Sequence, residues 1–251
     1  MHVDIRTSDI TPIRKTFKHV AKRIGDNKFA SRYQEATIEL QPESNFHYRS
    51  YWAPEFELYD ERRTKISMED WYSFKDPRQF YYGTWTITRS KQQDSIEKNF
   101  DFVERHNLLD NLDQHSRDLI ANTIIPLRHF EYGGNLNDYY ITAYGYGAAI
   151  TQMTAFSGMD RLANAQYLSR IGLMLAENET TVLDSAKQQW LENDKWQPMR
   201  ELVEDMMVIE DWFELFVAQN LALNGVLFPF AYQHFEQYLS DKNGAGLSLL
   251  T

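Results

Sequence analysis

Apolar residues recur at helical spacing over most of this chain, and this periodicity constrains the fold more than any other sequence feature. It begins near Asp76, which is placed to cap a helix that has Pro77 in its first turn. No alternation typical of strands competes with it. The pattern therefore predicts an all-α protein, with later helices at roughly 113–141, 146–176, 180–192, 196–223 and 227–240.

The predicted helix over residues 146–176 is long for a small bundle. At ~1.5 Å per residue it would span about 45 Å, which suits the core of a large helical subunit. Gly133, Gly134, Gly145 and Gly147 are expected to interrupt or bend this helix and the one before it.

The first 75 residues show neither helical nor strand periodicity. Between Ser44 and Phe74 aromatic residues stand at irregular intervals, with Pro54 inside the stretch. Two interpretations remain open: an ordered coil over the protein's own core, or an arm that wraps another chain. Because exposing so many rings to water is unfavourable, the sequence favours the arm. It thus predicts an arm over residues 1–75 and a helical domain over residues 76–251.

The composition excludes several classes of function. A formal net charge of −10 opposes binding to nucleic acid or to an anionic membrane, since both depend on clustered Lys and Arg. No segment is expected to reach the ~20 apolar residues of a membrane span. The chain has no cysteine, so it has neither disulfides nor thiolate metal ligands. A cytoplasmic location is the default expectation.

Motifs typical of catalysis are missing from the sequence. None of the seven histidines follows a glutamate at the Glu-x-x-His spacing, and His-Glu-x-x-His, Gly-x-Ser-x-Gly and phosphate-binding loops are absent too. The segment "YGYGAA" has only two glycines of a dinucleotide fingerprint. A Ser-His-Asp triad, which is defined by geometry, stays open.

One helical stretch, "SGMDRLANAQYLSRI", looks like half of a metal site without its ligands. In carboxylate-bridged diiron bundles an Asp-Glu-x-Arg-His-x-Gln helix presents Glu and His to one iron. If Asp160 and Gln166 are set on the ends of that motif, Arg161 takes the Glu position and Asn164 the His position. Arginine has only donors and cannot bind iron. Either the likeness is accidental, or this is a diiron fold that has lost its metal.

Several further segments carry a family resemblance along almost the whole chain. They are "SRYQEA", "NFHYR", "DPRQFYYG", "PLRHFE", "AITQM", "MDRLANAQYLSRIGLML", "VIEDWFELFVAQNLALNG" and "AYQHFEQYL". Together they resemble the beta subunit of the hydroxylase of bacterial multicomponent phenol hydroxylases, within the soluble diiron monooxygenases. The resemblance implies a ferritin-like helical bundle that follows a long irregular arm. It also implies that the last helices of the family's beta chains are missing here, so that the chain is C-terminally incomplete.

The resemblance also implies which positions correspond to metal ligands in the related catalytic alpha subunit. They are Glu131, Arg161, Asn164 and Val226, and one carboxylate among four cannot hold two irons. No catalytic residue, metal or cofactor is therefore expected in this chain. A buried Arg161 would need an acidic partner, so the sequence predicts a Glu131–Arg161 ion pair with Asn164 nearby.

The implied function is that of a non-catalytic structural subunit. The implied partners are alpha and gamma chains in an (alpha-beta-gamma)2 hydroxylase, with a regulatory protein and a reductase, and the diiron centre lies in alpha. The complex would hydroxylate phenols with O2 and NAD(P)H, as a phenol 2-monooxygenase. A toluene, alkene or methane system, or an unrelated helical binding protein, are the alternatives. In the arm, the candidate interface residues are Phe46, Tyr51, Trp52 and Trp71.

Overall fold

Every regular element in the described part of the chain is helical, which confirms the all-α prediction. The computed structural model describes residues 16–38, 49, 51–57, 60–241 and 244–250. Its helices are α1 (Lys18–Ile24), α2 (Arg32–Thr37), α3 (Tyr82–Arg105), α4 (Gln114–Leu119), α5 (Leu127–Tyr144), α6 (Ala148–Leu175), α7 (Thr181–Glu192), α8 (Gln197–Met206), α9 (Trp212–Phe216), α10 (Asn224–Phe228), α11 (Phe235–Asp241) and α12 (Ala245–Ser248). Wider π turns, Ile120–Ile124, Val217–Leu223 and Pro229–His234, link several of them.

Helices α5 and α6 form the centre of the fold. A tight turn at Gly145–Gly147 joins them as an antiparallel pair, and Gly147 has the positive φ of 94° that favours glycine. Large apolar side chains, including Phe130, Ile141 and Ile171, are buried between this pair and its neighbours. Gly133 and Gly134 lie inside α5 without interrupting it, contrary to one expectation.

The described part of the arm contains two short α-helices, α1 and α2, that the sequence did not predict. Helix α2 begins with a capping box: the Ser31 hydroxyl accepts the Gln34 N–H at 3.1 Å, and the Gln34 side chain accepts the Ser31 N–H at 2.9 Å. The Ser-x-x-Gln spacing was a usable signal for this helix. The boundary between arm and helical domain stays a prediction.

Asp76 does not cap a long helix, which corrects the predicted start. Its carboxylate accepts the Arg78 N–H at 2.9 Å in a tight turn, and its own N–H donates to the Tyr33 hydroxyl at 2.9 Å. Helix α3 instead begins at Tyr82. A buried Asp engaged in a local turn competes with helix initiation at the same residue.

The predicted helices over 196–223 and 227–240 have different boundaries in the structure. The first ends at Met206, because Asp211 caps a new helix by accepting the N–H groups of Phe213 and Glu214. From there one helical rod runs from Trp212 to Ser240, through Pro229. The π turn at Pro229–His234 accommodates the missing proline donor.

This rod, Trp212–Ser240, is long and apolar enough to cross a membrane by length and composition, although the sequence analysis expected no such segment. Only 22% of its most apolar window is buried in the chain. A single helix of this kind is weak support for a membrane span, because helices that pack in soluble assemblies meet the same criterion.

Candidate functional site

Three charged side chains meet in the interior between α5 and α6. Glu131 and Asp138 lie seven residues apart on α5, and two helical turns place them on one face. Arg161 comes from the facing helix α6. Both carboxylates have 0% exposure and Arg161 has 3%, so the group is closed to solvent.

Arg161 joins the two carboxylates. Its Nη1 lies 3.2 Å from Oε2 of Glu131, and its Nε lies 3.1 Å from Oδ2 of Asp138. The predicted Glu131–Arg161 pair is therefore present, and the structure adds a second acid that the sequence analysis missed. The guanidinium also lies 5.6 Å from the Phe130 ring centre and 5.7 Å from that of Phe228, within range of cation–π attraction.

Asp138 is bound by three further donors. The Ser157 hydroxyl donates to Oδ2 at 2.6 Å, while the Gln219 and Asn220 amides donate to Oδ1 at 2.9 and 3.2 Å. Gln219 and Asn220 are adjacent residues in the π turn Val217–Leu223. The wider turn helps two successive side chains to point toward one acceptor, which a regular helix separates by about 100°.

Glu131 has fewer partners than Asp138. The Tyr232 hydroxyl lies 2.8 Å from its Oε1, and Asn164 also hydrogen-bonds to the carboxyl group. Asn164 thus lies within reach of Glu131, as expected. We name the group formed by Glu131, Asp138, Ser157, Arg161, Asn164, Gln219, Asn220 and Tyr232 the ionic cluster.

Burial changes the acidity of the cluster. Burial raises the pKa of the Glu131 carboxyl, while the Arg161 charge and hydrogen bonds from its neighbours oppose that rise. Burial raises the pKa of Asp138 in the same way, again against the charge of Arg161. Burial and the neighbouring Glu131 raise the pKa of the Tyr232 hydroxyl, so this hydroxyl stays protonated.

Gly134 provides the space for the arginine. A Cβ atom at this position would lie 2.6 Å from Nη1 of Arg161, closer than a side chain tolerates. The Gly134 carbonyl accepts the Gln219 amide at 3.2 Å, which orients that amide toward Asp138. The two glycines of α5 are therefore explained by close packing, since neither has an unusual φ.

The fourth predicted position, Val226, does not join the cluster. It lies in α10 with 73% of its surface exposed, so the structure does not bring it to Glu131, Arg161 and Asn164. From the same helical rod, Gln219 and Tyr232 supply the inward contacts. That the cluster descends from a metal site stays a prediction.

The predicted arm anchors have different environments. Tyr51 is 99% exposed and Trp52 is 66% exposed, whereas Phe46 lies outside the described residues. Trp71 is partly buried and packs against the protein's own core, so part of its ring is already covered within the chain. Its ring centre lies 5.4 Å from that of Trp212 and 5.8 Å from that of Tyr146.

The cluster does not fit an iron centre. Iron in such bundles needs several carboxylate and imidazole ligands, but the cluster offers two carboxylates and no imidazole. A guanidinium, which cannot ligate a metal, bridges both acids. Among the described residues, no group of three or more His, Asp or Glu side chains could hold a metal ion.

The fold and the position of this cluster define a helical bundle of the ferritin-like hydroxylase type. A solved phenol hydroxylase from Pseudomonas sp. OX1 superposes with a TM-score of 0.88 and 43% identity, over 99% of this chain and 75% of that one. Toluene 4-monooxygenase superposes with a TM-score of 0.81 over 97% of this chain and 81% of that one. At 19% identity, that second likeness concerns the fold alone.

Sequence relatives assign the family. Residues 52–251 match the family model described as Methane/Phenol/Alkene Hydroxylase, and the chain belongs to this family. It is 45% identical over its full length to the phenol 2-monooxygenase oxygenase component DmpL of Pseudomonas sp. (strain CF600), covering 76% of that protein. It is 42% identical to the corresponding component MhpL of Acinetobacter pittii (strain PHEA-2), covering 75%. An unrelated helical binding protein is thereby excluded.

Proposed function

We propose that this chain is the non-catalytic beta subunit of the hydroxylase of a bacterial multicomponent phenol hydroxylase. The single observation that carries the non-catalytic role is Arg161, which occupies the space between the buried acids of α5. A metal ion and the Arg161 guanidinium would compete for the same two carboxylates. Because the guanidinium already occupies the space between them, no room is left for iron there. The subunit's task is then structural.

The relatives support the proposed reaction and partners. Two relatives of at least 42% identity are oxygenase components of phenol 2-monooxygenases, whereas the toluene-4-monooxygenase beta subunit of Ectopseudomonas mendocina is only 23% identical. We therefore place the chain with alpha and gamma subunits in a cytoplasmic (alpha-beta-gamma)2 hydroxylase, served by a regulatory protein and a reductase. The complex hydroxylates phenols with O2 and NAD(P)H, and the diiron centre belongs to alpha.

Exposed apolar surface supports a scaffolding role. On α5, Tyr132, Leu136 and Tyr139 recur at helical spacing and are exposed. Along the Trp212–Ser240 rod a second exposed set comprises Val217, Leu221, Val226 and Phe230. Exposed apolar residues at such spacing form stripes that are typical of surfaces covered by other helices.

Co-expression with the cognate alpha and gamma subunits tests the proposal. We expect one complex containing all three chains, with phenol-hydroxylating activity when the reductase and regulatory protein are added. Iron per complex should be the same for the parent chain and for a variant with altered Arg161 that still assembles. Iron bound stoichiometrically to the purified chain alone, or a failure of the chain to join the complex, contradicts the proposal.

A further inference from the structure

The ionic cluster contains more acid than base. Glu131 and Asp138 would carry two negative charges against the single positive charge of Arg161. Arg161 is the cation whose charge lowers the pKa of each of these carboxyls. Two charged groups beside Arg161 have partners of their own: Asp160 pairs with Arg89, and Arg78 pairs with Asp76. Within the described residues, no second cation therefore balances the cluster.

Hydrogen bonding identifies Asp138 as the ionised acid. Each of its oxygens accepts two donors: Gln219 and Asn220 on one, Ser157 and Arg161 on the other. Three of these four groups, the two amide nitrogens and the guanidinium, can only donate, so the set favours a carboxylate at Asp138. The Gln219 amide is held with its nitrogen toward Asp138. Its oxygen accepts a hydrogen bond from the Asn137 amide at 2.9 Å, and its nitrogen also donates to the Gly134 carbonyl.

Glu131 has the opposite environment. One oxygen faces the Tyr232 hydroxyl and the other faces Nη1 of Arg161, and the Asn164 amide also contacts the group. Glu131 thus has three hydrogen-bonding partners against four for Asp138, so its ionised form is the less stabilised of the two, and the Tyr232 hydroxyl oxygen can also accept from a neutral carboxyl. We propose that Glu131 binds one proton in the folded chain at neutral pH, so that Arg161 and this proton together balance the two buried acids.

The energetic reason is the cost of an unbalanced buried charge. An ionised carboxylate without compensation is unfavourable inside a protein, and proton uptake is the usual means of avoiding it. Burial raises the pKa of both Glu131 and Asp138, so the hydrogen-bond pattern decides which of the two holds the proton. One guanidinium and one proton taken up from solvent then balance the two buried acids.

Infrared spectroscopy of the full chain at neutral pH tests the proposal directly. We expect a carbonyl band of a protonated carboxyl group that shifts in deuterated water and on labelling glutamate with 13C at the side-chain carboxyl. Labelled aspartate should leave the band in place. The band should disappear in Glu131→Gln and remain in Glu97→Gln, whose carboxylate is solvent-accessible.

Absence of the band in the folded parent chain overturns the proposal, and so does its persistence in Glu131→Gln or its shift on labelling aspartate. A second measurement does not depend on spectroscopy. Because the folded pKa of Glu131 is raised, the stability due to its proton is complete at low pH and is lost as pH rises through that folded pKa. The urea midpoint of the parent should therefore fall relative to that of Glu131→Gln over this interval; a constant difference between the two curves would contradict the assignment.

Discussion

At the residue scale, Arg161 determines the chemistry of the interior. Its guanidinium bridges the buried carboxylates of Glu131 and Asp138. Breaking a buried ionic group by removing one member leaves the others without compensation, and this costs more than the intact group contributes. The arginine is therefore needed for the stability of the bundle.

Replacing this arginine should be strongly destabilising. We expect Arg161→Met to lower the free energy of unfolding by ~3–5 kcal/mol, because it strands the buried acids. Urea denaturation followed by circular dichroism measures the change. Adding Glu131→Gln and Asp138→Asn to the same chain should recover much of the loss. Arg23→Met, which removes a solvent-exposed pair with Asp70, serves as the control and should change stability by less than ~1 kcal/mol.

A pair of glycine substitutions tests the close approach of α5 to Arg161. Gly134→Ala should destabilise the chain by ~1–3 kcal/mol, since the new Cβ would meet the guanidinium at 2.6 Å. Gly225→Ala is the matched control: it is also helical, but nothing lies within 4 Å of its Cβ position. That change should stabilise by ~0.5–1 kcal/mol through helix propensity. Equal effects of both substitutions on the thermal midpoint would contradict the packing argument.

At the scale of elements, the rod Trp212–Ser240 carries the inward-facing residues that complete the ionic cluster. The rod begins at Asp211, which caps it and also accepts the Lys65 N–H from the arm at 2.7 Å. One side chain thus fixes the start of the helix and holds a loop 146 residues away in sequence. The π turns along the rod then set which side chains face Asp138 and Glu131.

Removing the cap should weaken the rod. We expect Asp211→Ala to cost ~1–2 kcal/mol, as measured by urea denaturation. Burial raises the pKa of Asp211, but hydrogen bonds from Lys65, Glu214, Thr64 and Phe213 together lower it by more. The net shift of this pKa is therefore downward. The contribution is therefore present above the unfolded pKa and is lost as pH falls through the folded pKa. If Asp211→Ala costs as much stability below both pKa values of Asp211 as it does above them, the carboxylate charge is not responsible.

At the scale of the whole molecule, the chain combines a closed interior with extensive exposed apolar surface. The charged groups of the ionic cluster are buried, whereas Tyr51 and Trp52 in the arm are exposed together with apolar residues on α5 and on the rod. A protein that acts alone rarely leaves so much apolar surface in water. This combination is typical of a subunit whose surface is completed by assembly.

The double variant Tyr51→Ala with Trp52→Ala should weaken assembly without affecting the fold. Because both rings are exposed in the isolated chain, we expect its unfolding midpoint to be unchanged. Affinity for the alpha subunit should fall by about 30-fold or more, corresponding to roughly 2 kcal/mol for an aromatic hot spot. Biolayer interferometry measures this affinity. Trp71→Ala provides the contrast, since its ring packs on Trp212 and its loss should destabilise the chain itself. Unchanged alpha affinity in the double variant would rule out these anchors.

The sequence by itself determined the helical class, the family resemblance and the ion pair between Glu131 and Arg161. The helical class follows from local periodicity, whereas the ion pair follows from the positions that the family resemblance implies and from the need of a buried arginine for an acidic partner. Asp138 was within reach of the same reasoning, because it lies two turns from Glu131 on one helical face.

Only the tertiary structure decided the rest. The contributions of Gln219, Asn220 and Tyr232 depend on π turns that change the helical register, and periodicity of 3.6 residues cannot anticipate them. Val226 was placed by its likeness to a sequence motif, which cannot show that its side chain is 73% exposed in the folded chain. Likewise, Trp71 packs against the core because its partners, Tyr146 and Trp212, come from distant segments. Whether a side chain is buried depends on which segments pack over it. Sequence spacing specifies only the helix face on which the side chain lies.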